Sequence, residues 1–481
     1  MMFGDRPMLI GGAFAPARDG GWITSLDPAT EDPIGRVPAG TREDVARAVA
    51  AAAAAQPAWA ERSIWERGAL LRKLAAKFRA NAAAILKLEA TDTGNTIAKL
   101  RADVEIAAGY LEYFAGLATE MKGDTVPASP RGFHFTMREP YGVVGRIVPF
   151  NHPFMFAAAH LAAPLTAGNT VVIKTPETSP LSGHLLAEAC CEVLPPGVVN
   201  IVSGLGGAAG DALVRHPDVR RIGFTGSAAT GMAIQRAAAE TCVKHVSLEL
   251  GGKNPLIAFP DADIETAVDA AIAGMNFSWA GQSCGSTSRL MVHESLYTRA
   301  VELTAAKVAA LKVGNPIDST SDMGPVNSEA QYRRVMGFIA AGKNEGARLC
   351  TGGGRPTGAA FERGYWIAPT VFADVTPAMT IGREEIFGPV MSVMTWATID
   401  EAVAMANGTD YGLTAAIFTD NLTEALSTAR RIDAGVVAIN SANMHVVGLP
   451  FGGSKNSGIG GEESLEELLS YTQVKAVHIQ V

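Results

Sequence analysis

Two hydrophobic periods take turns along this chain. Residues 1–40 set Gly, Pro and Asp clusters between short apolar runs, which predicts turns and a small hairpin. From Thr41 the spacing becomes helical. An Ala-rich stretch runs to about Gln56, with Thr41 as N-cap and Asp44 approximating a capping box. Arg62–Leu88 and Ile97–Thr119 predict two further amphipathic helices. Residues 122–141 are extended and alternating, as in an arm or hairpin outside the main core. From Gly142, β-branched runs (Val143–Val148, Thr170–Ile173, Val199–Ser203, Arg221–Thr225, Val243–Leu250) alternate with helical ones (Phe156–Ala167, Leu181–Leu194, Ala208–His216, Thr230–Ala239). That alternation predicts parallel βαβ units in a doubly wound α/β sheet, which takes ligands at the carboxyl ends of its strands.

A second α/β series begins near Gly252. Its expected helices are Asp263–Met275, Ser295–Leu311, Gln331–Asn344, Ile399–Asn407 and Leu422–Ile432. Its expected strands are Arg289–His293, Ala347–Thr351, Ala415–Thr419 and Gly435–Asn440. After Glu462 come one helix and an alternating terminal strand, Gln473–Val481, suited to pairing with the 122–141 arm or a partner subunit.

Composition narrows the function. A chain of 481 residues exceeds one core, so two or three domains are expected. The net charge of −8 argues against a nucleic-acid partner, which calls for a Lys/Arg surplus. No apolar run approaches the ~20 residues of a membrane span, and the first residues lack a basic-then-apolar signal pattern. The five cysteines (Cys190, Cys191, Cys242, Cys284, Cys350) show no metal-ligand spacing, so no metal is expected and a reducing cytoplasm is the simplest setting.

One cysteine stands apart. Gly281-Gln282-Ser283-Cys284-Gly285-Ser286 surrounds a sulfur with small residues, leaving it open to a bound molecule. Alone, Cys284 reads as a small core residue; beside exposed backbone N–H groups its thiolate becomes a nucleophile. Gly204-Leu205-Gly206-Gly207-Ala208-Ala209-Gly210, between a strand and a helix, approximates a phosphate-binding turn around Gly206. The next strand ends in Phe224-Thr225-Gly226-Ser227, again with small residues at a helix start, where backbone N–H groups can face a pyrophosphate. Glu249 closes a strand between Leu248 and Leu250; desolvation there suits a general base, while a salt-bridged or solvated strand-end Glu is the plainer alternative. Asn151, between Pro149 and Pro153, is either an Asx-turn residue or an amide fixed to donate to an oxyanion.

Together these segments resemble the aldehyde dehydrogenase superfamily over nearly the whole chain. The ordered motifs are Pro149–Pro153, Phe224–Ser227, Leu248–Lys253, Gly281–Cys284, Glu384-Glu385-Ile386-Phe387-Gly388-Pro389 and Pro450–Gly458. The resemblance implies a Rossmann-like NAD-binding domain (1–121 and 142–251), a catalytic domain (252–462), and a β oligomerisation arm (122–141 and 463–481). It implies that Cys284 attacks the aldehyde, that Asn151 and the Cys284 N–H form the oxyanion hole, and that Glu249 activates the hydrolytic water while Glu462 relays its proton. Lys174 and Glu177 match the residues at the adenosine ribose, Ser227 the one at the pyrophosphate, and Glu385 and Phe387 those at the nicotinamide ribose and ring. A carboxylate at 177 favours NAD, with NADP a weaker alternative, since it repels a 2′-phosphate. A homodimer or homotetramer is expected.

Several positions depart from the family pattern: Phe150, His152, His160 where Lys is common, and Gly461 where Arg is usual. Phe154, Phe156, Ala159, Ser278, His445 and Phe451 are candidates for the substrate tunnel and point to a medium-sized apolar or aromatic aldehyde. Two other functions compete. A CoA-acylating semialdehyde dehydrogenase would lack the base that Glu249 supplies. A catalytically silent protein on the same scaffold would lack Cys284 or Asn151. The remaining four cysteines are assigned to packing.

Overall fold

The computed structural model describes residues 1–442 and 445–480. Its larger sheet has eight strands. In spatial order they are Gly458–Ile459, His245–Glu249, Val219–Thr225, Val143–Ile147, Thr170–Lys174, Val199–Val202, Met8–Ile10 and Ala13–Ala15. The five central strands are parallel and both edges are antiparallel. Chain order reverses at Val143–Ile147, which has Thr170–Lys174 on one side and Val219–Thr225 on the other. Such a reversal opens a crevice at the carboxyl edge of a parallel sheet. One apolar cluster covers each face of this sheet, the first around Leu71, Phe114 and Leu161 and the second around Val45, Leu213 and Ile222.

The second sheet has seven strands: Arg348–Thr351, Thr370–Ala373, Val390–Trp396, Arg289–His293, Pro255–Ala258, Thr414–Phe418 and Val436–Ile439. All its pairings are parallel except the one made by Arg348–Thr351. Three of these strands, Pro255–Ala258, Thr370–Ala373 and Val390–Trp396, lie outside the elements read from the sequence. They are buried on both faces, so they lack the alternation that marks a half-exposed strand.

Local chemistry accounts for most elements. The helix Arg42–Ala60 starts with the capping box of Thr41 and Asp44. The expected Arg62–Leu88 helix is two helices, Ile64–Ala80 and Ala82–Thr93, because Asn81 ends one and begins the other. The expected Phe156–Ala167 helix is likewise divided, into Pro153–Ala159 and Ala162–Thr166. The turn at Gly206 makes a wide π-type helix, Gly206–Gly210, before the short helix Asp211–Arg215.

Strand Thr472–Gln480 pairs along its whole length with Gly132–Pro140, which also pairs with Thr125–Val126. Residue 481, the end of the expected terminal strand, lies outside the described residues. The expected 463–481 segment divides: helix Leu465–Ser470 buries Leu468, and with Tyr471 it joins the core beside the large sheet. Only the strand beyond it joins the arm sheet.

Candidate active site

The carboxyl ends of the parallel strands gather the residues singled out above. Strand Thr170–Lys174 ends on Lys174, and its turn presents Glu177. The Glu177 carboxylate accepts the backbone N–H of Gly206, which joins two successive strand ends. Lys174 Nζ lies 3.8 Å from Glu177 Oε1, and burial lowers the lysine pKa against the pull of that carboxylate. Ser227 caps helix Ala228–Ala239, its hydroxyl accepting the N–H of Thr230 at 3.3 Å. The Phe224 ring occupies the space that a side chain at position 226 would take, which explains the glycine there. Between these turns lies an apolar cleft of about 240 Å³, lined by Ile147, Gly206, Gly210, Phe224, Thr230 and Ile234.

Cys284 sits in a turn between the 3₁₀ turn Phe277–Trp279 and strand Arg289–His293, and is half-buried. Burial first, and then the nearby Glu385 and Glu249 carboxylates, pushes its thiol up to about 12. Asn151 follows strand Val143–Ile147 and donates from Nδ2 to the Gln282 carbonyl at 3.0 Å, which brings its amide to the cysteine turn. Its Oδ1 has no hydrogen-bond partner among the described residues. Asn95 holds the Asn151 backbone through a 2.6 Å bond to its carbonyl.

Glu249 ends strand His245–Glu249 opposite Gly458. It is buried, and its Oε2 has no partner among the described residues. Burial, then the like charge of Glu462, holds its pKa well above the usual carboxylate range. Glu462 is anchored by Arg146, whose Nη2 donates to Oε1 at 3.0 Å. His160 Nε2 lies 3.4 Å from the other oxygen of Glu462, in contact but not aligned as a hydrogen bond.

Glu385 accepts the Gly252 N–H at 2.9 Å, and burial raises its pKa to about 7. Phe387 has a left-handed backbone (φ 57°), and its ring meets Phe150 edge-on at 5.7 Å.

Among the tunnel candidates, Phe156 stacks on His160 at 5.5 Å. The His445 ring lies 4.6 Å from Phe451 and its Nδ1 is 2.9 Å from Glu463 Oε1. Phe451 and Glu462 exchange backbone hydrogen bonds of 2.9 and 2.7 Å, linking that aromatic pair to the buried carboxylate. Ala159 is buried and Ser278 half-buried. Phe154 is a correction: it is 1 % exposed and packs edge-on against Phe78 in the helical core, so it belongs to packing. Cys191 is a second correction, because it is exposed and not a packing residue.

Three contributors were given no role by the sequence reading, which noted His152 only as a departure from the family pattern. Asn254 Nδ2 donates to the carbonyls of Cys284 and Ser286 at 2.7 and 2.9 Å. His152 Nδ1 pairs with Asp103 Oδ2 at 2.7 Å, and its ring stands edge-on to Trp279 at 4.2 Å. Arg146 is the third. Its signal was present, since one arginine interrupts the apolar run Val143–Val148.

Two largely parallel sheets, glycine turns at the switch point of the first and a cysteine turn leading into the second define a mixed α/β enzyme. Residues 14–477 match the aldehyde dehydrogenase family, so the chain belongs to that family and is an oxidoreductase acting on aldehydes. It is 45 % identical over 478 residues to the aldehyde dehydrogenase tropH of Talaromyces stipitatus, covering 96 % of this chain and 92 % of the relative. It is 41 % identical over 475 residues to the hydroxyisobutyraldehyde dehydrogenase of Mycolicibacterium austroafricanum, covering 98 % and 94 %. The solved NAD⁺ complex of aldehyde dehydrogenase from Bacillus cereus superposes with a TM-score of 0.96 at 39 % identity, covering 99 % of this chain and 97 % of that one.

Proposed function

We propose that this protein oxidises an aldehyde to its carboxylic acid with NAD⁺, through an acyl group carried on Cys284. The observation that carries this reading is the convergence of separate elements on one sulfur. The Asn151 amide reaches the cysteine turn through Gln282, and the Glu249 and Glu385 carboxylates are close enough to act on the thiol. The thiolate attacks the aldehyde carbon, and the Asn151 amide with the Cys284 N–H receives the developing oxyanion. Glu249 then removes a proton from the water that hydrolyses the thioester, and Glu462 accepts it onward.

The residues present fit a dinucleotide. The apolar cleft beside Gly206 and Phe224 suits a flat ring, the Glu177 carboxylate suits a ribose hydroxyl, and Ser227 opens a helix toward a pyrophosphate. Glu385 and Phe387 would hold the nicotinamide end. Bound there, NAD⁺ supplies the hydride acceptor. Glu177 favours NAD over NADP.

The preferred substrate is a medium-sized apolar or aromatic aldehyde, walled by Phe156, His445 and Phe451; no Lys or Arg stands among these residues to bind a second carboxylate. Glu249 argues against the CoA-acylating alternative. Residues 1–121 with 142–251 are assigned to NAD binding, 252–462 to catalysis, and 122–141 with strand Thr472–Gln480 to the bridging arm. A cytoplasmic setting is proposed from the five cysteines without metal-ligand spacing. No helix among the described residues is long and apolar enough to cross a membrane.

A homodimer or homotetramer is proposed from the arm sheet, which exposes Val126, Phe133, Met137, Val474 and Ile479. The test of the chemistry is aldehyde-dependent growth of reduced-nicotinamide absorbance over a substrate panel. Activity is expected with benzaldehyde above succinic semialdehyde, and none in Cys284→Ser. Full activity in Cys284→Ser removes the nucleophile assignment.

A further inference from the structure

Strand Val143–Ile147 is buried along its whole length, yet one of its residues is an arginine. Arg146 is 1 % exposed and lies opposite Gly223 of the neighbouring strand. A Cβ at position 223 would collide with the guanidinium, so the sheet is built around this cation. Nη2 donates to Glu462 Oε1 at 3.0 Å, and Nη1 donates to the Tyr471 hydroxyl at 3.3 Å. A buried charge needs such partners to offset its desolvation.

The charged groups around Glu462 come from several elements. Glu249 comes from strand His245–Glu249, Glu463 is its chain neighbour, and Glu467 lies on helix Leu465–Ser470. Arg221, on strand Val219–Thr225, acts on Glu462 only through space: it bonds Ser470 and Ser247 and lies over the Tyr471 ring at 4.0 Å. His160 touches Glu462, but burial first and Arg146 second lower its imidazole pKa well below the ordinary value, which disfavours a positive charge there. Arg146 is therefore the cation that bonds Glu462 directly, and arginine keeps its charge at every working pH.

We infer that Arg146 is a positioning residue for the hydrolytic half of the reaction, fixing Glu462 as an anion able to receive the proton that Glu249 takes from water. The inference rests on the roles given above to Glu249 and Glu462. In that step the water oxygen bonds to the acyl carbon and the carbon–sulfur bond breaks. The sulfur leaves as thiolate, and the water proton moves from Glu249 to Glu462. Burial raises the Glu462 carboxyl pKa and Arg146 opposes that rise, as it also does at Glu249; removing the cation raises both further and shifts the acid limb of hydrolysis to higher pH.

The experiment compares wild type, Arg146→Met, Arg146→Lys and Tyr471→Phe by rapid mixing of enzyme, NAD⁺ and benzaldehyde, recording the reduced-nicotinamide burst and the later turnover from pH 5 to 9. In Arg146→Met the burst is retained, and the acid limb of the slow phase moves up by about one to three pH units. Arg146→Lys brings it most of the way back. Tyr471→Phe, which frees Nη1 but keeps the charge, shifts it less in the same direction, and it decides the matter if the Met variant does not fold. An unmoved limb in every folded variant overturns the inference, as does slow turnover without a pH shift, which marks a purely structural residue. Unslowed turnover in Glu249→Gln and Glu462→Gln instead overturns the underlying assignment of the base and relay.

Discussion

Asn254 Nδ2 holds the Cys284 carbonyl at 2.7 Å, so the residue that begins the run into strand Pro255–Ala258 also sets the height of the cysteine turn. The same amide holds Ser286 at 2.9 Å, while its Oδ1 accepts the Thr414 N–H at 3.1 Å. Three backbone groups from two segments thus converge on one buried side chain. Removing it orphans all three, and a net hydrogen bond is worth about 1 kcal/mol. Asn254→Ala is expected to lose about 2–4 kcal/mol of stability and to slow the burst phase more than it raises KM. Thermal unfolding beside single-turnover kinetics checks this; a variant with wild-type burst rate would show that the turn holds itself.

The thiol of Cys284 is pushed up to about 12 by burial and by the Glu385 and Glu249 carboxylates. In the enzyme without cofactor, the thiolate is therefore scarce at neutral pH. Alkylation by iodoacetamide should rise about tenfold per pH unit through the range 7 to 9, following the thiolate fraction. Glu385→Gln removes a repelling charge, so it lowers the thiol pKa and quickens alkylation at pH 8. Peptide mass mapping of residue 284 measures both effects, and a flat pH response would contradict this electrostatic picture.

For Glu249 the sign is the same, because it too acts in its deprotonated form and its pKa is raised. Burial and Glu462 hold its carboxyl well above the ordinary range, so the basic form fills only as pH rises through that raised value. Thioester hydrolysis should fall on acidification at a pH above the usual carboxylate titration. Glu249→Gln should leave the burst and reduce steady turnover by about 10²–10⁴-fold. Intact-protein mass spectrometry should then find the acyl adduct on Cys284; its absence would count against a base role for Glu249.

Glu177 bonds the Gly206 backbone and stands beside buried Lys174. Replacing it by serine removes the charge that would repel a 2′-phosphate and leaves Lys174 without its counter-charge. The ratio of kcat/KM for NADP over NAD should rise by about tenfold or more in Glu177→Ser. Steady-state kinetics with both cofactors checks this, and an unchanged ratio would place cofactor choice elsewhere.

Elements whose signals are local are legible in the amino-acid sequence. The capping box at Thr41 and Asp44, the alternating strands and helices from Gly142, and the extended character of the terminal strand and the 122–141 arm follow from short-range period and composition, whereas the choice of the arm over a partner subunit as that strand's partner did not. The glycines at 206 and 226 and the cysteine at 284 are marked by their small neighbours. Strands Pro255–Ala258, Thr370–Ala373 and Val390–Trp396 are not, because burial on both faces removes the period that marks a strand. The break at Asn81 is hidden for a different reason, since apolar periodicity continues on both sides of it.

The linear order of residues thus settled the kinds of chemistry available: a thiol among small residues, carboxylates at strand ends, and glycine turns before helices. It left open which charges would face one another. Arg146 and Glu462 are separated by 316 positions and meet only because the chain's late segment returns to the edge of the first sheet, where Gly458 pairs with Glu249. Asn254 and Cys284 meet in the same way across two strands of the second sheet. Burial then sets the protonation of these groups. Desolvation depends on every atom packed around a side chain, and that environment exists only once distant segments have come together.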